Sequence, residues 1–230
     1  LSGIADPARA GDAFSDLAQA CVRALAYASR NEVDRIAGPI DGQVAVVALG
    51  KLGSREMSGA SDLDLMTVYE APAEAESDIR GWSADRWFGR FTQRLIAALS
   101  TPTAEGGLYD VDMRLRPSGA AGPVAVSLRA FGDYYAREAD TWEFLALTRA
   151  RVVWATSAAF ERRVADAVEA ALRRPRDRVS TLNDVAAMRA LMAREHPPWS
   201  FWDMKRSTGG LIDCEFASQA LQLLNAPGGG

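Results

Sequence analysis

"LGKLGSREMSGASDLDLMTVYE" (49–70) sets a lysine and a Gly-Ser pair ahead of two aspartates one residue apart. The segment "SDLDLMTVYE" (61–70) alternates Leu63 and Leu65 against Asp62 and Asp64, which is the period of a β-strand. Side chains at i and i+2 of a strand share a face, so the two carboxylates project together. Ahead of them, "VAVVAL" (44–49) is a short apolar β-branched run that predicts a buried strand. "KLGSREMSGA" between the two is too rich in Gly and Ser for more than a short helix or turn.

A second acidic strand is predicted over 108–115, "LYDVDMRL". Tyr109, Val111 and Met113 take one face; Asp110, Asp112, Arg114 and Arg116 take the other, and Pro117 ends the run. Acidic pairs at this spacing recur in Glu32/Asp34, Glu74/Glu76, Glu138/Asp140 and Asp213/Glu215, where a solvated face explains them. Asp62 and Asp64 differ because they interrupt a strongly β-forming segment directly after a Gly-Ser turn. If Asp112 lies alongside, three carboxylates converge, and each like-charge pair at ~4 Å costs about 4 kcal/mol at an effective dielectric of ~20. Such a cluster takes up protons or binds cations. Two divalent ions would relieve it and form a centre for phosphoryl or nucleotidyl transfer. The Gly-Ser turn, read as a helix start, offers N–H donors for phosphate oxygens, and Arg114 and Arg116 offer guanidinium groups for a triphosphate.

The rest of the chain frames these strands. "AFSDLAQACVRALAYASR" (13–30) carries apolar residues at Phe14, Leu17, Ala18, Cys21, Val22 and Leu25, a helical stripe, before "GPIDG" breaks it. Trp87, Phe88, Phe91, Leu95 and Leu99 form a second stripe over 84–99. "PVAVSL" (123–128) is a short strand, Arg129 to Trp154 reads as one or two helices, and beyond Ser157 the chain reads as helical with a break at "RRPRDRVST". The order predicts an α+β fold: a small mixed sheet with flanking helices, residues 1–155, then a C-terminal helical subdomain, 156–230. The close at "NAPGGG", soon after an amphipathic segment, reads as a fragment of something longer.

Composition narrows the chemistry. The 230 residues carry a net charge of −4, against a broad nucleic-acid surface. No run is long enough for a membrane span and no signal peptide opens the chain, so the expected setting is the cytoplasm. Cys21 and Cys214 lack metal spacing and read as small core residues. With a single histidine, His196, a metal must be held by oxygen ligands, which points to Mg²⁺ or Mn²⁺. Lys51 and Lys205 are the only lysines among 26 basic residues. Lys51 either snorkels from a strand end or serves a nucleotide site; Arg149 and Arg151 suit ion pairs or a phosphate. Neither a P-loop nor a dinucleotide fingerprint is present.

Gly-Ser followed by D-x-D, with a third Asp on a later strand, resembles the nucleotidyltransferase superfamily that includes DNA polymerase β. The longer strings "LGKLGSREMSGASDLDL", "YDVDMRLRPSGAAGPVAVS", "YYAREADTWEFLALTRARVV" and "DMKRSTGGLIDCEF" together resemble glutamine synthetase adenylyltransferase. The resemblance runs in order from about Val44 to Leu224. It implies a polymerase β-like core, ATP as substrate, glutamine synthetase as protein substrate and, for the full-length enzyme, a PII-type signal protein. It implies that Asp62, Asp64 and Asp112 hold the catalytic metals, with Asp112 helping to deprotonate a tyrosine. Lys51, Gly53, Ser54, Ser61, Arg114 and Arg116 are the implied nucleotide contacts. Enzymes of this family carry one module that attaches AMP and one that removes it by phosphorolysis. "SDLDL", "LYDVD", "RPSGAAG", "TWE" and "LIDCEF" resemble the attaching module, while "DMRLRP", "GPV" and "DYY" are shared with or lean toward the other. The alternatives are the removing module and a non-catalytic regulatory module that binds the signal protein.

Overall fold

The computed structural model describes residues 6–104 and 106–225; Ala226 to Gly230 of the closing "NAPGGG" lie outside them. An open mixed sheet of five strands carries eight α-helices among the described residues. Strands β1 (Gln43–Ala48) and β2 (Leu63–Glu70) pair antiparallel, with Gln43 opposite Glu70 and Ala48 opposite Leu65. Strand β5 (Arg151–Ala155) pairs antiparallel with the other edge of β1, through an irregularity at Val46/Val47. Strands β3 (Val111–Asp112) and β4 (Ala125–Ser127) both run parallel to β2 and occupy successive lengths of one edge of it.

Alternation along β1 and β2 divides the interior in two. Val44, Val46, Ala48, Leu63 and Leu65 face one way, under helices α1 (Pro7–Ala37) and α3 (Ala84–Ser100), together with Trp87, Phe88 and Phe91. Ala45, Val47, Met66 and Val68 face the other way. There they meet Phe131 and Tyr135 of α4 (Leu128–Arg137) and Phe144 and Leu145 of α5 (Thr141–Leu147). Phe160 and Val164 of α6 (Ala158–Leu172), Val185 of α7 (Arg178–Glu195) and Leu223 of α8 (Leu211–Asn225) complete that layer. A sheet buried on both faces has near-continuous apolar strands, which is how "VAVVAL" reads.

Helix α1 starts at Pro7, a favoured first helical residue, and ends before Gly38, whose φ of +81° suits the left-handed position after a helix. Its buried face is Ser15, Ala18, Val22, Ala26, Ser29 and Val33. The expected stripe is therefore rotated: Phe14 and Leu17 are exposed. Small residues on the inner face allow α1 to lie close against α3. The two cysteines also depart from a core role, Cys21 being half-buried and Cys214 exposed.

Two strands differ from the reading of the sequence. "RVVWA" (151–155) is β5, not the end of a helix; a β-branched run follows the short turn after α5. The second acidic strand is only Val111–Asp112, and Arg114 onward is a turn. The Arg116 guanidinium donates to the carbonyls of Met113 (2.7 Å), Pro123 (2.9 Å) and Gly122 (3.1 Å), which curls the chain back on itself. Ser118 and Gly119 complete the curl with φ of 60° and 54°.

Short helix α2 (Gly50–Ser54) joins β1 to the segment before β2, and it is locked to β5. A Cβ on Gly53 would stand 1.9 Å from the Arg149 carbonyl oxygen, so only glycine fits. From β5, Arg151 donates to the carbonyls of Leu52 (2.9 Å) and Gly53 (3.1 Å), which satisfies the C-terminal end of α2.

Gly53→Ala is therefore expected to destabilise the fold by about 1–3 kcal/mol, because backbone has to move to admit the methyl group. Exposed Gly132 in α4 has nothing within 4 Å of an added Cβ. Gly132→Ala is expected to stabilise by about 0.5–1 kcal/mol. Urea unfolding of the two variants checks both signs.

Candidate active site

Asp64 lies in β2 directly beside Asp112 of β3 in the parallel ladder, so the two share a face. Strand alternation turns that face toward the Met66 and Val68 side of the sheet. Asp62 is exposed just before β2 begins. The Asp64 carboxylate rests against Gly50. A Cβ there would lie 1.9 Å from Asp64 Oδ2, and Gly50 has a φ of +49°. The Leu49 N–H donates to the Asp64 carbonyl at 2.9 Å, fixing the same junction from the backbone.

The electrostatics of the two paired aspartates diverge. Burial, then the charges of Asp62 and Asp112, push Asp64 up to about 6, against partial relief from Arg114 and Arg149. Asp112 is held below its ordinary value by hydrogen bonds from Arg114. The Arg114 guanidinium grips both Asp112 oxygens, with Nη2 to Oδ2 at 2.5 Å and Nε at 2.8 and 3.0 Å. The Arg114 N–H also donates to Oδ1 at 2.8 Å. The guanidinium is otherwise open to solvent, its side chain 80% exposed.

The three aspartates thus lie within electrostatic reach of one another. Even so, among the described residues no three His, Cys, Asp or Glu side chains stand where they could together hold a metal ion. Both oxygens of Asp112 are instead engaged by Arg114. The donor chemistry itself suits a hard divalent cation: oxygen ligands only, with a half-buried carboxylate whose charge is unfavourable. Asp64 and Asp112 are the adjacent oxygen donors here, with Asp62 exposed just before β2.

The other expected contacts separate. Gly53 and Ser54 close α2 rather than open a helix, so the expectation of free N–H donors there is corrected. The Gly53 N–H donates to the Leu49 carbonyl at 2.9 Å, and Ser54 Oγ donates to Gly50 O (3.2 Å) and Glu56 Oε2 (2.8 Å). Left-handed Arg55 (φ 64°) ends the helix and pairs with Asp12 and Asp16 of α1. Ser61 is buried; its Oγ accepts from the Ser58 N–H at 3.0 Å and holds the turn before β2. Lys51 is exposed on α2. Arg116 gives its donors to the three carbonyls of the 113–123 turn. Glu143 of "TWE" is buried, accepting from Tyr134 Oη (2.8 Å) and from the Asp140 N–H (2.9 Å) in a capping box at the start of α5.

Two residues weighed only weakly from sequence do reach this neighbourhood. Arg149 acts on Asp64 and forms ion pairs with Glu56 (3.8 Å) and with Glu215 of α8 (3.3 Å). "RAR" and "LIDCEF" carried that signal, but nothing in either string says that they meet. Asp213 is elsewhere, bound to Arg189 and to the Gly209 N–H.

Asp64 gives a stability prediction with a definite sign. Its folded value, about 6, lies above its ordinary 3.8, so the native state binds the proton more tightly. Stability therefore falls as pH rises through this window, and the full cost is present above it. In EDTA, Asp64→Asn is expected to melt higher than the unmodified chain near pH 8, with the gap closing toward pH 4. Calorimetry across that range checks it; a gap that grows on acidification would contradict the assignment.

A family model described as glutamate-ammonia ligase adenylyltransferase matches residues 1–166. A protein of Caulobacter vibrioides, named bifunctional glutamine synthetase adenylyltransferase/adenylyl-removing enzyme, is 56% identical over 231 residues, covering 100% of this chain and 23% of that protein. A protein of the same name from Bradyrhizobium sp. is 47% identical over 98% of this chain and 23% of its own length. Another from Brucella melitensis is 47% identical over 95% of this chain and 22% of its own length. The chain thus spans less than a quarter of these relatives. With the family model matched over most of its length and such identity over nearly all of it, the chain belongs to the glutamate-ammonia ligase adenylyltransferase family.

Proposed function

We propose that the chain is a nucleotidyl-transfer module, polymerase β-like in its core, that attaches AMP from ATP to a tyrosine hydroxyl of glutamine synthetase. The observation that carries this reading is the pairing of Asp64 with Asp112 across the β2–β3 ladder, with Asp62 alongside. Residues 1–155 form the transfer domain in this reading and 156–230 a helical subdomain. The module works in the cytoplasm, and a PII-type signal protein acts on the longer protein. The direction, attachment rather than phosphorolysis, rests on the strings "SDLDL", "LYDVD", "RPSGAAG", "TWE" and "LIDCEF".

Asp62, Asp64 and Asp112 would hold Mg²⁺ or Mn²⁺, which when bound supplies charge stabilisation at the phosphates and activation of the attacking oxygen. The tyrosine oxygen forms a bond to the α-phosphorus. The bond to the bridging oxygen breaks, its electron pair leaving on pyrophosphate, and the tyrosine proton passes to a carboxylate oxygen of Asp112. Arg114 couples these events. Its exposed guanidinium turns from Asp112 to the departing pyrophosphate, stabilising charge that grows in the transition state. Released from that partner, Asp112 becomes the stronger base.

Incubation with glutamine synthetase, Mg²⁺ and α-labelled ATP is expected to place label on a tyrosine. Asp62→Asn and Asp64→Asn are each expected to abolish labelling while the circular dichroism spectrum stays native. Near-normal labelling by either would remove the metal assignment. Loss of AMP from modified glutamine synthetase in phosphate buffer, with no addition from ATP, would reverse the direction.

For Arg114→Lys the expectation is a fall in turnover of roughly 100- to 1000-fold, the usual loss when a donor to transition-state charge is removed. The charge remains but the planar fork is lost. The melting temperature is expected to stay the same, since the Arg114 side chain is 80% exposed and lysine keeps the charge beside Asp112. Unchanged turnover would reduce the pair to a structural one.

A further inference from the structure

Asp62, Asp112, Arg114 and Arg149 are the charged groups that act on Asp64, and only Arg149 has no part in the transfer scheme above. Its backbone is fixed by the contact of its carbonyl with Gly53. Its side chain is 18% exposed, and its ion pairs at 3.3 and 3.8 Å are looser than the 2.5–3.0 Å contacts between Arg114 and Asp112. Arg116 and Arg151, by contrast, give their donors to backbone carbonyls. Arg149 also borders a cavity of about 360 Å³, lined by Gly53, Ser54, Glu215, Ser218 and Gln222 among others, so the wall around it is largely polar.

We propose that Arg149 is a phosphate-binding residue for the nucleotide, and that Glu215 of α8 is the counter-ion it exchanges for the polyphosphate. The inference rests on the nucleotidyl-transfer reading and adds a residue and a competition to it. A half-buried guanidinium needs an anion at all times, because an unpaired charge away from water is costly. Glu215 supplies one when the site is free. Phosphate oxygens match the guanidinium fork better than one carboxylate oxygen at 3.3 Å does. Glu215 is 42% exposed and can turn to water once displaced. Nucleotide binding is thereby coupled to the anchoring of α8.

Calorimetric titration of the 230-residue chain with ATP in Mg²⁺, and separately with adenosine, tests this. Glu215→Gln removes the competitor and is expected to tighten ATP several-fold. Arg149→Ala is expected to weaken ATP on the order of tenfold or more, the size of effect when a charged hydrogen-bond donor is lost. Adenosine affinity is expected to change in neither. Arg149→Lys, a milder variant that keeps the charge, is expected to fall between the Ala variant and the unmodified chain. In the double variant the gain from Glu215→Gln is expected to vanish, since the two residues act on each other. A Glu215→Gln variant that binds ATP no better, or an Arg149→Ala variant that binds it equally well, would overturn the proposal and leave Arg149 a strut between α2 and α8. If ATP responds as expected but no AMP reaches glutamine synthetase, the exchange stands and the transfer reading falls. If ATP does not bind the unmodified chain, both fall.

Discussion

The carbonyl oxygen of Arg149 fills the space that any side chain at residue 53 would need. That contact brings the turn just before β5 against α2, and Arg151, the first residue of β5, seals it. Because α2 begins at Gly50, the lock also sets where the Gly50 backbone meets Asp64. A hydrogen bond of 2.9 Å between Leu49 and Asp64 ties the junction to β2. The central carboxylate thus packs against Gly50, whose helix is in turn set by the close contact at Gly53. Rigid backbone around an ionisable group is what lets burial and neighbouring charge, not side-chain motion, decide its protonation.

Charge is distributed around that point with little waste. Arg55 is spent on α1, Arg116 on its own turn and Arg151 on α2. Arg114 and Arg149 remain; both act on Asp64, and each is paired with a carboxylate, Asp112 and Glu215. Arginine suits both tasks: it never loses its charge, and its fork closes onto carbonyls or onto oxyanions.

Much of the sheet was legible in the sequence because alternation is a local property. Leu63 and Leu65 against Asp62 and Asp64, and the run from Val44 to Leu49, need no tertiary information. The β5 segment carries no such signal, because its partner, β1, lies about a hundred residues earlier, and pairing over that distance leaves no periodic mark. The second acidic strand is shorter than its alternation predicts because the donors of Arg116 curl the chain, and no side-chain pattern encodes where a guanidinium finds its carbonyls. At the site, the shared alternation of the two acidic strands is enough to suggest Asp64 and Asp112 as neighbours. The Gly-Ser pair closes its helix where the sequence suggests that it opens one, since the glycine answers to the distant Arg149 carbonyl. Nothing local joins Glu215 to Arg149 either: α8 meets Arg149 only through packing.

The position of β1 has a consequence for how the chain is made. Its second partner is β5, so during synthesis the segment Val44–Ala48 remains an open, fully apolar sheet edge until Ala155 has left the ribosome. Helix α1, which donates from Arg23 to the Val153 carbonyl at 2.9 Å, waits equally long for that contact. Unpaired strand edges invite association with other chains, and non-local pairing is slow. For more than a hundred residues of elongation the nascent chain therefore displays a sticky border that only its own later segment can cover. Temperature and chaperone supply should accordingly govern its soluble yield more than the stability of the finished fold does.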